Sequence, residues 1–163
     1  MLAAALGTDI VPSGLLLLAL VCAVLPDIDA LGLWLGIPYE HAFGHRGFTH
    51  SLPFAVALAG AGTFLAPEAE PGAAFAVLLV SAASHGVIDA LTNGGLGIAF
   101  FSPFSRRRSF LPWQVIEVSP LQPSALFSRR GLEVLHSEIR WVWGPCLAVA
   151  LLGIAWRRLV GLA

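Results

Sequence analysis

The stretch that decides the fold is 72-GAAFAVLLVSAASHGVIDAL-91, an apolar run that carries a histidine and an aspartate near its end. It has the ~20-residue length that a helix needs to cross the hydrocarbon layer of a membrane. Three further apolar runs, at 10–26, 52–66 and 142–160, approach this length, and the first two are somewhat short. The chain is 57% hydrophobic and 12% charged, with a mean hydropathy of +0.82, which is unusual for a soluble domain. We therefore predict an all-α, polytopic membrane bundle of about four transmembrane helices, in which residues 1–163 form one membrane-embedded domain.

Because each crossing reverses the direction of the chain, the loop 27–47 and the polar region 92–141 lie on the same membrane face. We interpret 92–141 as an extramembrane lid lying at the headgroup interface, since it mixes aromatic and basic side chains. The same face carries seven of the nine arginines: Arg46, Arg106, Arg107, Arg108, Arg129, Arg130 and Arg140. The positive-inside rule then predicts a multi-pass protein of the bacterial inner membrane whose polar face is cytoplasmic.

The N-terminal apolar run has no basic start and no small-residue cleavage site, so we expect it to remain as a helix. The net charge of −1 gives no reason to expect nucleic-acid binding, and we interpret the cluster Arg106–Arg108 as a topology determinant. Small residues in the second run should let helices approach closely; they are Ala57, Ala59, Gly60, Ala61 and Gly62.

The strongest chemical signal is the pair His85 and Asp89 at the end of the third run. An i, i+4 spacing places both side chains on one helical face, where two ligands could share one ion. Such polar groups are costly in an apolar segment unless something positive compensates them. The alternative is a His–Asp hydrogen bond that ties helices together.

Two more motifs flank the loop between the first and second runs. Asp27 and Asp29 follow Pro26, and in an extended backbone they would point to the same side. The motif 44-GHRGFTHS-51 adds His45, Arg46 and His50 where the second run begins. Taken singly, these residues have ordinary explanations: solvated acids, structural histidines, or an arginine anchored to lipid headgroups.

Together the three motifs converge on one membrane face. Their carboxylates would repel each other strongly in a low-dielectric pocket without a cation. We therefore predict a site for one or two divalent metals, with the candidate ligands Asp27, Asp29, His45, His50, His85 and Asp89. A donor set of carboxylate and imidazole without thiolate favours zinc, with manganese or iron as alternatives.

Hydrolysis is the natural chemistry of such a site, because a divalent ion activates water and polarises a phosphoryl or carbonyl oxygen. We predict catalytic roles for Arg46, whose guanidinium suits an anionic phosphate, and for Asp29. The expected substrate is a phosphoester in a membrane lipid or another phosphorylated, membrane-proximal molecule. A non-catalytic protein that uses the cluster as a structural or regulatory site is the alternative, and a metal transporter is a weaker one. Glu117 and His136 stay open between lid structure and site.

Four ordered motifs carry a resemblance to a known family: Leu-Pro-Asp-Ile-Asp at 25–29, Gly-His-Arg-Gly-Phe-Thr-His-Ser at 44–51, Ser-His-Gly-Val-Ile-Asp-Ala-Leu-Thr-Asn-Gly-Gly at 84–95 and Ile-Glu-Val-Ser-Pro-Leu at 116–121. They resemble the YdjM family of inner-membrane proteins, which are grouped as metal-dependent hydrolases and distantly with phospholipase C and P1-type nucleases.

The resemblance implies that His85 and Asp89 are metal ligands, and that Asp27 or Asp29 and His45 or His50 complete the site. Family members usually carry a Ser/Thr-His pair before the first apolar run. In this chain the first histidine is His41.

Overall fold

A computed structural model describes residues 11–120 and 122–161. The helices are α1 (Ser13–Val24), α2 (Ala30–Trp34), α3 (Leu52–Phe64), α4 (Pro71–Ala90), α5 (Arg129–Glu138) and α6 (Gly144–Leu159). Two short turns of 3₁₀ helix, Leu25–Asp29 and Phe48–His50, lie between them, a third covers Pro123–Phe127, and the π-helical turn Ile139–Trp143 joins α5 to α6. In this part of the chain β-structure is limited to two isolated bridges, so the all-α prediction is confirmed.

Three helical segments are long and apolar enough to cross a membrane: Ser13–Trp34, Pro71–Ala90 and Arg129–Leu159. The remaining predicted run forms α3, which is apolar but has only 13 residues. All four predicted apolar runs are therefore helical, and the helical membrane bundle is confirmed. The first and last helices continue past the predicted ends, because α1 runs on through a 3₁₀ turn into α2 and α5 leads without a break into α6.

The core lies where α1, α3 and α4 pack on one another, and small side chains allow it. Ala59 of α3 is fully buried, and a Cβ on Gly62 would come within 2.7 Å of the Leu78 side chain of α4. The other small residues predicted to allow close packing do not face this contact: Ala57, Gly60 and Ala61. That part of the prediction is wrong because Ala59 and Gly62 lie three residues apart on one helical face, whereas the others lie on different faces.

Of the predicted lid, residues 92–141, the described part before α5 folds back over one end of this bundle, whereas α5 begins the apolar segment Arg129–Leu159. Backbone hydrogen bonds connect Leu111 to Ala90 and Ile116 to Leu91, so the segment follows the end of α4. The Ser137 hydroxyl of α5 accepts a hydrogen bond from the Glu117 backbone N–H. These contacts place residues 116–120 beside the end of α4 that carries the candidate ligands.

Candidate metal centre

All the candidate ligands lie at one end of the bundle, as the alternation of crossings predicts. Asp27 lies in the 3₁₀ turn that follows α1, His50 lies in the turn before α3, and His85 and Asp89 lie in the last turns of α4. His85 and Asp89 do share one helical face, with His85 Nε2 lying 3.9 Å from Asp89 Oδ2.

Four donor atoms converge at this end: Asp27 Oδ1, His50 Nε2, His85 Nε2 and Asp89 Oδ2. His50 Nε2 lies 3.6 Å from the Asp27 oxygen and 3.3 Å from that of Asp89. His85 Nε2 lies 3.3 Å from the Asp27 oxygen and 3.9 Å from that of Asp89. Zinc bonds of ordinary length imply ligand atoms roughly 3.3–3.4 Å apart in a tetrahedron. The four nitrogen–oxygen distances, 3.3–3.9 Å, thus equal this separation or exceed it by up to about 0.6 Å, and all four donor atoms lie within 4.8 Å of one another.

The far nitrogen of each imidazole fixes the direction of the ring. Nδ1 of His50 lies 3.0 Å from Asp29 Oδ2, and Nδ1 of His85 lies 2.8 Å from the Ala23 carbonyl oxygen. Both Nε2 atoms are buried, and neither forms a hydrogen bond with any described residue, although carboxylate oxygens lie close by. Buried polar atoms without partners are rare in folded proteins. A carboxylate or carbonyl behind the ring and an unsatisfied nitrogen in front of it is the usual arrangement of a metal-binding histidine.

Asp27 and Asp29 face different groups. The condition of an extended backbone, under which both would point to the same side, is not met, because Leu25–Asp29 form a 3₁₀ turn in which residues two apart point in different directions. The Asp27 side chain is 51% exposed and turns toward His50 and His85. The Asp29 side chain is only 3% exposed and contacts residues of the loop, namely His45, Thr49 and His50.

Both oxygens of Asp29 are engaged. Oδ1 lies 2.7 Å from His45 Nδ1, and Oδ2 accepts hydrogen bonds from the Thr49 hydroxyl at 2.5 Å and the Arg46 backbone N–H at 3.1 Å. Since an ionised carboxylate can only accept hydrogen bonds, Nδ1 of both His45 and His50 must carry the proton when Asp29 is charged. Asp29 therefore sets the orientation of two histidines at once.

His45 belongs to a second, overlapping group of potential ligands with Asp27, Asp29 and His50. In this second group His50 and Asp29 already contact each other, and His45 contacts Asp29. The first group is chemically the better site, because its nitrogens are free of hydrogen bonds whereas the oxygens of Asp29 are not.

Arg46 is buried beside the four donor atoms. Its guanidinium donates hydrogen bonds to Asp89 Oδ1 at 3.2 Å, to the Thr92 hydroxyl at 3.0 Å and to the Gly94 carbonyl at 2.8 Å. The contact with Asp89 engages one carboxylate oxygen and leaves the other for the cluster. Arg46 also has a φ of 62°, a left-handed backbone conformation that is rare outside glycine and is found often at functional sites.

The loop around Arg46 is held by an arginine from the lid. The guanidinium of Arg108 donates hydrogen bonds to backbone carbonyls of the loop, at 2.9 Å for Tyr39, 3.1 Å for His45 and 3.2 Å for Arg46. Sequence reasoning gave this residue only a topological role, because backbone carbonyls leave no trace in a sequence. In the structure, Arg108 holds in place the loop that carries the predicted site residues His45 and Arg46.

The turn that carries His50 packs directly on α4. A Cβ on Gly86 would come within 2.7 Å of the His50 carbonyl oxygen, so only glycine permits this approach. The two rings of His50 and His85 lie 4.9 Å apart as a result. Gly86 is thus a site residue that ligand chemistry could not have identified.

The electrostatics of His50 reflect three carboxylates around one ring. Burial alone would lower the pKa of His50, but Asp27, Asp29 and Asp89 outweigh burial and raise the pKa to about 10. The cluster therefore attracts positive charge, which a proton on His50 or a bound cation can supply.

A cavity of about 430 Å³ opens beside the cluster. Its walls combine charged and polar side chains of the site with the lid segment, namely Asp27, Ala30, Tyr39, His45, Arg46, Asp89, Gly95, Val118, Ser119 and Pro120. Burial raises the pKa of Tyr39, so its hydroxyl stays protonated at neutral pH and can donate a hydrogen bond. Of the four residues that supply the donor atoms, Asp27 and Asp89 line the cavity, so a small polar group in it can reach their carboxylates.

The two ambiguous residues lie outside both potential ligand groups. Glu117 forms an ion pair of 2.6 Å with Arg130 in α5, and His136 is exposed on the same helix. Glu117 thus connects the part of the lid before α5 to α5 itself.

Fold and site together define a helical membrane protein with an Asp/His cluster that could hold a metal ion. The family described as YdjM inner membrane protein matches residues 1–161, so the chain belongs to the YdjM family. The inner membrane protein YbcI of Escherichia coli K12 is 39% identical over 156 residues, which cover 94% of this chain and 89% of YbcI.

The inner membrane protein YdjM of the same organism is 38% identical over 96 residues, which cover 53% of this chain and 46% of that protein. No solved structure matches the chain. These relatives support a multi-pass protein of the inner membrane, and their names do not specify an activity.

Proposed function

We propose that the protein is a divalent-metal-dependent hydrolase of phosphoesters at the membrane. One observation carries the proposal: Nε2 of His50 and His85 are buried without hydrogen-bond partners among the described residues and lie 3.3–3.9 Å from oxygens of Asp27 and Asp89. The donor set of two imidazoles and two carboxylates suits zinc best, with manganese or iron as alternatives.

A bound divalent ion would supply Lewis acidity toward a phosphoryl oxygen and lower the pKa of water. Side chains of the protein would position the substrate and transfer the proton. Arg46 holds Asp89 in place and contributes the positive charge that an anionic phosphate needs in the cavity.

Proton transfer is the proposed role of His45. The hydrogen bond from its Nδ1 to Asp29 leaves Nε2 to exchange a proton with a group in the cavity, which His45 lines. In this proposal Asp29 acts on catalysis through His45 and His50, as a positioning residue.

The test is elemental analysis of the detergent-purified protein, combined with phosphoester hydrolysis after chelation and metal readdition. We expect stoichiometric divalent metal in the native protein and its loss in His85→Ala and Asp89→Ala. His136→Ala is the matched control, because it removes an exposed histidine outside the cluster. Native metal content in both site variants would overturn the metal site. Stoichiometric metal without hydrolysis of any phosphoester would instead favour the non-catalytic alternative, a structural or regulatory site.

A further inference from the structure

Asp27 lines two neighbouring spaces, one with polar walls and one with apolar walls. On one side is the polar cavity beside the cluster. On the other is a groove of about 410 Å³ whose remaining walls are all aliphatic side chains, namely Val21, Val24, Leu25 and Ile28. Among the described residues Asp27 is the one charged group that lines the groove, so it marks the point where an apolar surface meets the candidate metal centre.

The groove faces outward from the bundle. Val24 is 67% exposed and Ile28 is 53% exposed, although both belong to the apolar segment Ser13–Trp34, which is long enough to cross a membrane. A membrane-spanning segment of this kind places its exposed aliphatic side chains against lipid. The groove therefore opens to hydrocarbon, whereas the cavity on the other side of Asp27 contains Arg46 and Tyr39.

One class of ligand matches both sides, a molecule with an anionic head and a hydrocarbon chain. We propose that the substrate is a membrane phospholipid whose chain lies along Val21, Val24 and Ile28 while its phosphate enters the cavity past Asp27. This inference rests on the proposed function and narrows it, because it excludes water-soluble phosphoesters as the preferred substrates. Binding energy from a chain remote from the reacting bond can raise the rate of reaction at the head.

The experiment blocks the groove and leaves the cluster intact. Val24→Trp and, independently, Val21→Trp fill the groove with a large side chain. Val149→Trp is the matched control, since Val149 is 64% exposed on α6 and does not line the groove. Each metal-loaded variant is assayed with dipalmitoyl phosphatidic acid and phosphatidylglycerol in vesicles, and with glycerol phosphate and glycerophosphoglycerol in solution.

The native protein should hydrolyse at least one lipid faster than its chain-free counterpart. The groove variants should lower the lipid rate by about tenfold or more and leave hydrolysis of the soluble compound unchanged. In parallel, a phosphatidic acid with a photoreactive acyl chain should crosslink to residues 21–28 of the native protein and of Val149→Trp, and much less to Val24→Trp.

Two results would overturn the inference in distinguishable ways. Hydrolysis of soluble and lipid phosphoesters at equal rates, unaffected by the groove variants, would contradict the lipid substrate and leave the hydrolase standing. Failure of the metal-loaded protein to hydrolyse any of the compounds would contradict the proposed function, and the lipid inference would fall with it.

Discussion

Replacing Asp29 with asparagine tests how the site is organised. The substituted side chain would keep its shape, but one acceptor oxygen would become an amide donor. If the amide nitrogen takes the place of Oδ1, His45 Nδ1 faces a group that cannot accept its proton. If it takes the place of Oδ2, the Thr49 hydroxyl and His50 Nδ1 face such a group. Because Asp29 is buried, water cannot restore the lost hydrogen bond.

The expected magnitude follows from the role of the carboxylate. Removing a group that orients a metal-bound histidine typically weakens metal binding by about 10–100-fold, or about 1.4–2.7 kcal/mol. The asparagine variant should therefore bind zinc with this reduced affinity and still reach full stoichiometry at saturating metal. Asp89→Asn should lose stoichiometric binding, since it removes a proposed ligand.

The assay is competition between the purified protein and a chromophoric chelator, with thermal unfolding of the metal-free protein measured beside it. The metal-free asparagine variant should be less stable than the native protein by about 1–3 kcal/mol, the usual effect of a buried donor left unpaired. Native zinc affinity in Asp29→Asn would show that Asp29 does not orient the histidines. Loss of zinc as complete as in Asp89→Asn would show that Asp29 is itself a ligand.

Two further predictions concern the loop and the proton on His50. Arg108→Ala should weaken zinc binding, because the loop that carries His45 and Arg46 loses its hydrogen bonds to Arg108, and Arg108→Lys should recover part of the affinity. Arg107→Ala, which changes an exposed neighbour, should leave zinc binding unchanged. Equal effects in the two alanine variants would show that Arg108 does not hold the loop. Zinc affinity should rise with pH, because the metal must displace a proton from His50, whose pKa is raised to about 10. The same shift, from an ordinary value of 6.5, means that the contribution of His50 to the stability of the metal-free protein is fully present at pH 6.5 and is lost as the pH rises toward 10, which chelated samples can show by thermal unfolding. A stability unchanged over this range, or the same loss in His50→Ala, would contradict the role given to His50.

The sequence was sufficient to locate the four apolar helices and the end of the bundle that carries the candidate ligands, whereas α2 lies in the predicted loop 27–47. Apolar runs of membrane-spanning length indicate helices by themselves, because a chain in lipid must satisfy its backbone hydrogen bonds locally. The alternation of those runs places the three motifs at one end, and the helical period alone puts His85 and Asp89 on one face. These properties depend on neighbouring residues or on counting crossings, so no tertiary contact is needed to predict them.

Only the tertiary structure decided which side chains supply the donor atoms and which ones hold the others in position. Asp27 and Asp29 are chemically the same and two residues apart, yet a 3₁₀ turn directs one toward the cluster and buries the other behind two histidines. Arg108 reaches backbone carbonyls far away in the sequence, and Gly86 matters because another segment rests on it. Such roles depend on which surfaces meet after the helices pack, and residues distant in the chain carry no local pattern that records this meeting.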